Sequence, residues 1–460
     1  MSDPKPRRPN LLRWLFARRS RVVPPPPNAA MLAPLVQVLV APLAGDPEGR
    51  LRQHLLQAMT GRAGLAIRAV EGVVALPEPY DGAQLVAAQI NARHLLAEHD
   101  GDVLVIGGVD PVDGYGLRLA TPSGEESPFA PANWLGLPAE LGAPYGDLLH
   151  ACLLAAAEPR SEPQRQLISG MLPGLAATVA PLAQKPPMAL SPRAQQAVLV
   201  TFGHLCAALA AAGNGAEIYD RAADSYRAAM KRKAAGQPPL ESPIIFRHLA
   251  AVLTAKAERT DDVQVLEDAA AAWRSAIDGI PRGQFPGEWA ALNVRLGQVL
   301  YRLDLKTGDT NLLKEAIACY QAALQVFTRS TNAARWGEAM YALALALEVY
   351  GDQLKSAEVL ERAVAACRVV LEVRTREKSG AAWAAAMNTL GSALFLLDKH
   401  GRGTDHLDEA MVTLQSAIDA YKALGALKPA AVAEKNLAHV MRLSKARRDR
   451  RVADPGWAEE

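Results

Sequence analysis

The chain has 460 residues, and half of them are apolar although only 5% are aromatic, which excludes a disordered chain. Its 4 cysteines are too few for a disulfide scaffold. The formal net charge of +2 excludes an overall basic coat for nucleic acid, but it hides +6 at residues 1–25, −6 at 26–441, +5 at 442–451 and −3 at 452–460.

Residues 1–28 form a basic tail with a four-proline run that serves as a stiff spacer. Arg13 interrupts its apolar stretch, so we expect no secretory signal and a cytoplasmic protein. The tail has the composition of a segment that contacts an anionic, inner membrane surface, although a disordered basic tail is the simpler explanation. The residues concerned are Arg13, Trp14, Phe16, Arg18 and Arg19.

Residues 30–125 alternate apolar runs with amphipathic stretches in the order β-α-β-α-β-β. Near-continuous apolar strands are typical of sheets buried on both faces, so we expect a small α/β domain with a partly parallel sheet. Two segments, Val38–Pro47 and Asp102–Val109, resemble the amino-terminal module of TolB-type proteins. The turn at 45–47 fits helix capping or a phosphate site. The glycines at 107–108 fit a β-turn or a nucleotide pocket.

Residues 126–194 are predicted to form a loop and linking helices, the latter over 145–157 and 164–182. Two uncharged runs, 167–183 and 195–216, are long enough to raise the question of a membrane span. Prolines and glycines interrupt the first run, and the second lies inside the repeats described next. We therefore predict that neither spans a membrane.

A 47-residue period governs residues 195–429. One column contains Phe202, Leu249, Leu296, Leu343, Leu390 and Leu437, each followed by Gly or Ala. A second contains Ala222, Ala269, Ala316, Ala363 and Ala410, with Tyr226, Trp273, Tyr320, Cys367 and Leu414 four residues later. Spacings of three and four put these residues on one helix face. We predict five units of two helices, A and B, then a capping helix at 430–447 and a tail at 448–460.

These columns resemble the tetratricopeptide repeat, whose pattern is matched by Leu296-Gly297-x-x-Leu300 and Ala316-x-x-x-Tyr320-x-x-Ala323. The resemblance implies an α-solenoid of helix pairs, wound as a right-handed superhelix and preceded by the small α/β domain. Each unit is about 13 residues longer than the usual 34. Longer helices or loops are therefore expected.

The sequence contains none of the common fingerprints for nucleotide, zinc-protease or serine-hydrolase chemistry. We predict a non-enzymatic scaffold or adaptor, without cofactor or metal, that binds a protein or peptide and no specific nucleic acid. The alternative is a regulatory protein whose α/β domain senses a nucleotide or other small ligand while the repeats relay the signal or recruit a partner.

The repeat family implies a concave groove lined by helices A. Its positions here are Arg247, Val294, Gln298, Tyr301, Tyr341, Glu348, Asn388, Ser392 and Phe395. Aromatic anchors suit the capture of an amphipathic helix or an extended peptide. The alternative for these aromatics is that they pack between neighbouring A helices.

Two further sets of residues contain side chains that could bind a metal or react chemically. His400, Asp405, His406 and Asp408 include two types of metal ligand, but turn and capping chemistry explains their position. The four cysteines lie in helical, Ala/Leu-rich surroundings and are predicted to be buried, reduced thiols. They are Cys152, Cys206, Cys319 and Cys367.

Overall fold

The computed structural model describes residues 35–453 except 77, 79, 124–132, 214, 233–239 and 402–404, and of 450–453 it describes the backbone alone. The basic tail lies outside the described residues, together with Arg13, Trp14, Phe16, Arg18 and Arg19. The chain forms two compact units, one within Arg21–Pro286 and the other within Gly287–Glu460.

The first unit contains a five-stranded sheet with the strand order β2-β1-β3-β4-β5. β1 pairs in parallel with β2 and β3, whereas β4 is antiparallel to both β3 and β5. The predicted order of strands and helices is confirmed, but β5 lies in a segment that the sequence assigned to a loop. The elements are β1 (Val36–Val40), α1 (Arg50–Met59), β2 (Leu65–Ala69), α2 (Gly82–Glu98), β3 (Val103–Asp110), β4 (Gly114–Ala120) and β5 (Leu135–Leu137).

Both faces of the sheet are buried, as the continuous apolar strands predict. Leu39, Leu104 and Ile106 pack against the Ala88–Leu96 stretch of α2 on one face. Val38 is also fully buried. Since successive side chains of a strand point to opposite faces, Val38 lies in the core on the other side of the sheet.

The rest of the chain is helical among the described residues. Two linking helices, α3 (Tyr145–Ala156) and α4 (Glu162–Gln184), precede five helix pairs and a final single helix. The predicted fold class, an array of helix pairs preceded by a small α/β domain, is confirmed. The pairs are α5 (Pro192–Ala211) with α6 (Glu217–Met230), α7 (Glu241–Thr260) with α8 (Val263–Gly279), α9 (Pro286–Thr307) with α10 (Thr310–Leu324), α11 (Ala333–Leu354) with α12 (Ala357–Leu371), and α13 (Arg376–His400) with α14 (Leu407–Ala423), and α15 (Leu427–Ala453) follows.

The first helix of each pair is helix A of the repeat and the second is helix B. Long A helices fill much of the 47-residue unit: α11 has 22 residues and only Lys355 and Ser356 separate it from α12. Three of the five B helices begin at a side-chain N-cap, because Asp262, Asp309 and Ser356 each accept a hydrogen bond from the backbone N–H of a first-turn residue.

Three helices are long and apolar enough, by length and composition, to cross a membrane: α4, α5 and α13. In α5, 78% of the most apolar stretch is buried inside the protein, so core packing accounts for its sequence. The corresponding share in α4 is 39%, and this helix contains Pro173 and Pro181. That neither α4 nor α5 spans a membrane stays a prediction.

Candidate functional site

Helix A and helix B of one repeat meet at the same two positions along the array. A Cβ atom built on the glycine of helix A would come within 2.6 Å of the large side chain on helix B in three repeats. This knob-and-gap contact is the seam that the small and large columns predict. The three pairs are Gly203 with Tyr226, Gly297 with Tyr320, and Gly391 with Leu414.

Helices α11, α13 and α15 of the second unit pack side by side. Helix α11 contacts α13, the next helix A, as well as its own helix B. Every residue from Tyr341 to Val349 is buried. The expected open groove is therefore closed along this part of α11.

Tyr341, one of the predicted groove aromatics, lies within this group of helices with 1% of its surface exposed. Its hydroxyl and that of Thr389 on α13 are 3.2 Å apart and share a hydrogen bond. The guanidinium of Arg374 lies 4.8 Å from the ring centroid. Burial raises the pKa of the Tyr341 hydroxyl above its ordinary value. This aromatic packs between neighbouring A helices, and its position leaves no surface for a partner.

Three other predicted groove residues also join consecutive A helices. Ser392 Oγ donates a hydrogen bond of 2.6 Å to Glu348 Oε1. Asn436 Nδ2 donates one of 3.1 Å to Asn388 Oδ1. Glu348 and Asn388 are buried, and these hydrogen bonds help to satisfy their polar groups.

The remaining groove residues differ in exposure. Val294 and Tyr301 are buried. Gln298 and Phe395 keep part of their surface accessible, and Phe395 meets the ring of His439 edge to face with centroids 6.4 Å apart. Partner binding through the predicted positions stays a prediction, and within the second unit it can use directly only Gln298, Ser392 and Phe395.

Arg247, the groove residue predicted in the first unit, borders a buried histidine pair. His204 and His248 lie with ring centroids 4.5 Å apart, and His204 Nδ1 is 2.6 Å from the Tyr226 hydroxyl. Burial, followed by the charge of Arg247, lowers the pKa of His204 to about 3. Burial likewise lowers the pKa of His248 well below its ordinary value. Both rings are therefore neutral at physiological pH, and their contacts are those of a packed polar core.

A second polar cluster connects the sheet to the first helix pairs within the same unit. Glu78 pairs with Arg118 of β4 and with Arg193 of α5, the latter at 2.9 Å. The Arg193 guanidinium lies 4.0 Å from the ring of Trp134 and also pairs with Glu241. Sequence reasoning missed this cluster because its directly paired members are as far as 115 residues apart and match no motif.

Two small, partly open cavities lie beside this cluster. One cavity of about 30 Å³ is lined by Trp134, Arg193 and Glu241 among others. A neighbouring cavity of about 20 Å³ is lined by Asn133, His204 and other residues of β4 and α5. Volumes of this size hold a water molecule or two.

The histidines near the fifth inter-helix loop do not converge. His400 Nε2 is 2.8 Å from Asp352, whereas His406 Nδ1 is 3.0 Å from Asp398. No group of three or more His, Cys, Asp or Glu side chains suited to a metal occurs among the described residues. His400 instead pairs with a carboxylate on α11, and His406 pairs with one on α13.

Comparison with known proteins identifies no family. No family model matches the chain, and no curated protein matches it. One solved structure that it resembles is a circular tandem repeat protein with a novel repeat topology, at 15% identity over 68% of this chain and 84% of that chain. The TM-score is 0.27, so we base no structural argument on this resemblance.

Proposed function

We propose that this protein is a non-enzymatic scaffold that binds a partner protein through its helical repeats. The observation that carries the proposal is the repeated seam, in which the same small and large positions pack against each other in three of the helix pairs. Packing of this kind fixes the seam columns and leaves the outward positions free to differ from repeat to repeat, which is how repeat proteins present recognition surfaces. Membership of the tetratricopeptide repeat family, and a TolB-like origin of the α/β domain, belong to the same proposal.

The partner surface that we propose on the second unit is smaller than the one predicted from sequence. It comprises the partly exposed A-helix residues Gln298, Ser392 and Phe395, and not the buried Tyr341. Phe395 is the best candidate for an anchor, since a half-buried aromatic ring contributes large contact area at low entropic cost.

The alternative of a nucleotide-sensing protein finds no support in the two cavities described above. The cavities described above hold a water molecule or two, whereas small-molecule sites are usually several hundred Å³ in volume. The free, buried cysteines favour a reducing compartment, so we propose a cytoplasmic location. Peripheral contact of Arg13, Trp14, Phe16, Arg18 and Arg19 with the inner membrane surface also remains a proposal.

Site-specific crosslinking in the native cell tests the scaffold proposal. A photoreactive phenylalanine is placed at Phe395, and a matched one at Gln321, which is exposed on the B helix α10. We expect one discrete adduct from position 395 and none of that size from position 321. Equal labelling patterns at the two positions would contradict the proposed surface.

A further inference from the structure

The last helix, α15, has the A-helix seam without a helix B over it. In the five preceding repeats the column that ends at Met441 contains Cys206, Leu253, Leu300, Leu347 and Leu394, all of them buried. Met441 is 56% exposed. Ala438 is exposed as well, although it corresponds to the small residue that faces helix B in the earlier repeats. The equivalent residues there are Gly203, Ala250, Gly297, Ala344 and Gly391.

The other side of α15 is packed normally. Ala433, Val440 and Ser444 are buried on the side that faces the preceding pair, and α15 contacts both α13 and α14. The exposure of Ala438 and Met441 is therefore specific to the seam face. Among the described residues, no element covers that face.

The charge around the open seam is positive. Lys435, Arg442 and Lys445 are exposed within one turn of Ala438 or Met441, whereas Glu434 is paired with Lys422 at 2.7 Å. Two copies of this face brought together would place like charges opposite each other, which opposes self-association. An acidic occupant would be attracted.

We propose that the exposed seam of α15 binds an acidic, amphipathic helix from a partner protein, which takes the place of a sixth helix B. This inference rests on the proposed scaffold function and names the class of partner. The occupant needs a large apolar residue to enter the gap at Ala438, flanked by small residues one turn away, as Leu414 is flanked by Ala410 and Ala417 in α14. Acidic side chains along its edges would face Lys435, Arg442 and Lys445.

A peptide from the chain itself supplies the probe. Residues 405–424 contain helix α14, have the small and large pattern of helix B, and have a net charge of −3 with histidine neutral. The labelled peptide is titrated with the full-length protein and followed by fluorescence anisotropy. We expect saturable binding that weakens as salt rises, and no binding of a shuffled peptide of equal composition.

Two variants, each of which adds one positive charge, test where on the protein the peptide binds. Ala438→Arg fills the gap and should weaken peptide binding by about tenfold or more. Val412→Arg adds an arginine at a residue that is 68% exposed on α14, and should leave the affinity within about twofold. Circular dichroism verifies that both variants are folded.

Three results would overturn the inference: no saturable binding, equal binding by the shuffled peptide, or equal binding by Ala438→Arg. A concentration-dependent dimer abolished by Ala438→Arg would also overturn it, because a second copy would then be the occupant. Failure here, with crosslinking at Phe395 preserved, would leave the scaffold function in place and remove only the sixth-repeat site.

Discussion

The ring of Tyr320 on α10 occupies the space that a side chain at Gly297 on α9 would need. A Cβ atom on Gly297 would come within 2.6 Å of Tyr320 Cε1, which is closer than carbon atoms approach in folded proteins. Tyr320 is 1% exposed, so the ring cannot move into solvent without unpacking the repeat. This contact recurs with Gly203 and Tyr226, and it is the structural reason for the 47-residue pattern.

Substitution of this glycine should therefore destabilise the protein. We expect Gly297→Val to lower the free energy of unfolding by about 1–3 kcal/mol through overpacking. Gly174→Ala is the control, because nothing lies within 4 Å of that position in α4. It should be neutral or stabilising by about 0.5–1 kcal/mol. Urea unfolding followed by circular dichroism measures both, and equal effects would contradict the seam.

Tyr341 provides a test of whether its role is packing or partner binding. Tyr341→Phe removes the hydroxyl that shares a hydrogen bond with Thr389 and should cost about 1 kcal/mol. Tyr341→Ala should cost about 3–5 kcal/mol, as for other large buried aromatics. A Tyr341→Ala variant with unchanged unfolding free energy but impaired partner recovery would restore the original groove assignment.

The buried histidine His204 should make stability depend on pH. Above pH 6.5 it is neutral in both folded and unfolded chains, so the stability is fully present. As the pH falls towards 3, only the unfolded chain binds the proton, and unfolding becomes easier by about 1.4 kcal/mol per pH unit. We expect His204→Gln to reduce the slope of unfolding free energy against pH between these limits, with the remaining slope due in part to the buried His248.

Tyr226→Phe is the control for the pH effect. It removes the hydroxyl that contacts His204 but keeps the histidine buried, so it should lower stability while leaving the pH dependence in place. If His204→Gln and the parent protein have the same slope between pH 6 and 4, His204 is not buried as described.

The cysteines should be unreactive in the folded protein. All four are buried and free of disulfides, and burial raises the pKa of Cys206 to about 11 and that of Cys367 above its ordinary value. The thiolate is the reactive form, so a thiol reagent at pH 8 should modify the native protein very slowly. In denaturant it should titrate 4 thiols. Rapid reaction of one native thiol would show that its helix pair opens locally.

The helix pairs could be predicted because the residues that pack them recur in the sequence at a fixed period. Small residues at Gly297 and large ones at Tyr320 recur at fixed spacing, and the seam requires both. Strand β5 could not be predicted, since Leu135–Leu137 is too short for alternation and its burial depends on pairing with β4. The surroundings of the predicted partner residues could not be predicted in the same way. The period of the repeat shows on which face of its helix Tyr341 lies. It does not show whether a partner or the next A helix packs against that face.

The ion pairs around Glu78 could not be predicted from the sequence either. The contact between Arg118 and Glu78 joins a strand to a loop 40 residues earlier, and Arg193 joins the same carboxylate from a helix. Neither spacing has a local signature, because the fold alone brings these charges together.

A helix B covers the seam face of helix A in five repeats, whereas the same face is open on α15. Thiol labelling of Met441→Cys and Leu394→Cys tests it directly, since these equivalent positions are 56% and 0% exposed. Mass spectrometry of maleimide-treated native protein at low concentration should find position 441 labelled rapidly and position 394 unlabelled. Equal protection of both positions would show that the seam on α15 is covered, and would contradict the open sixth-repeat site.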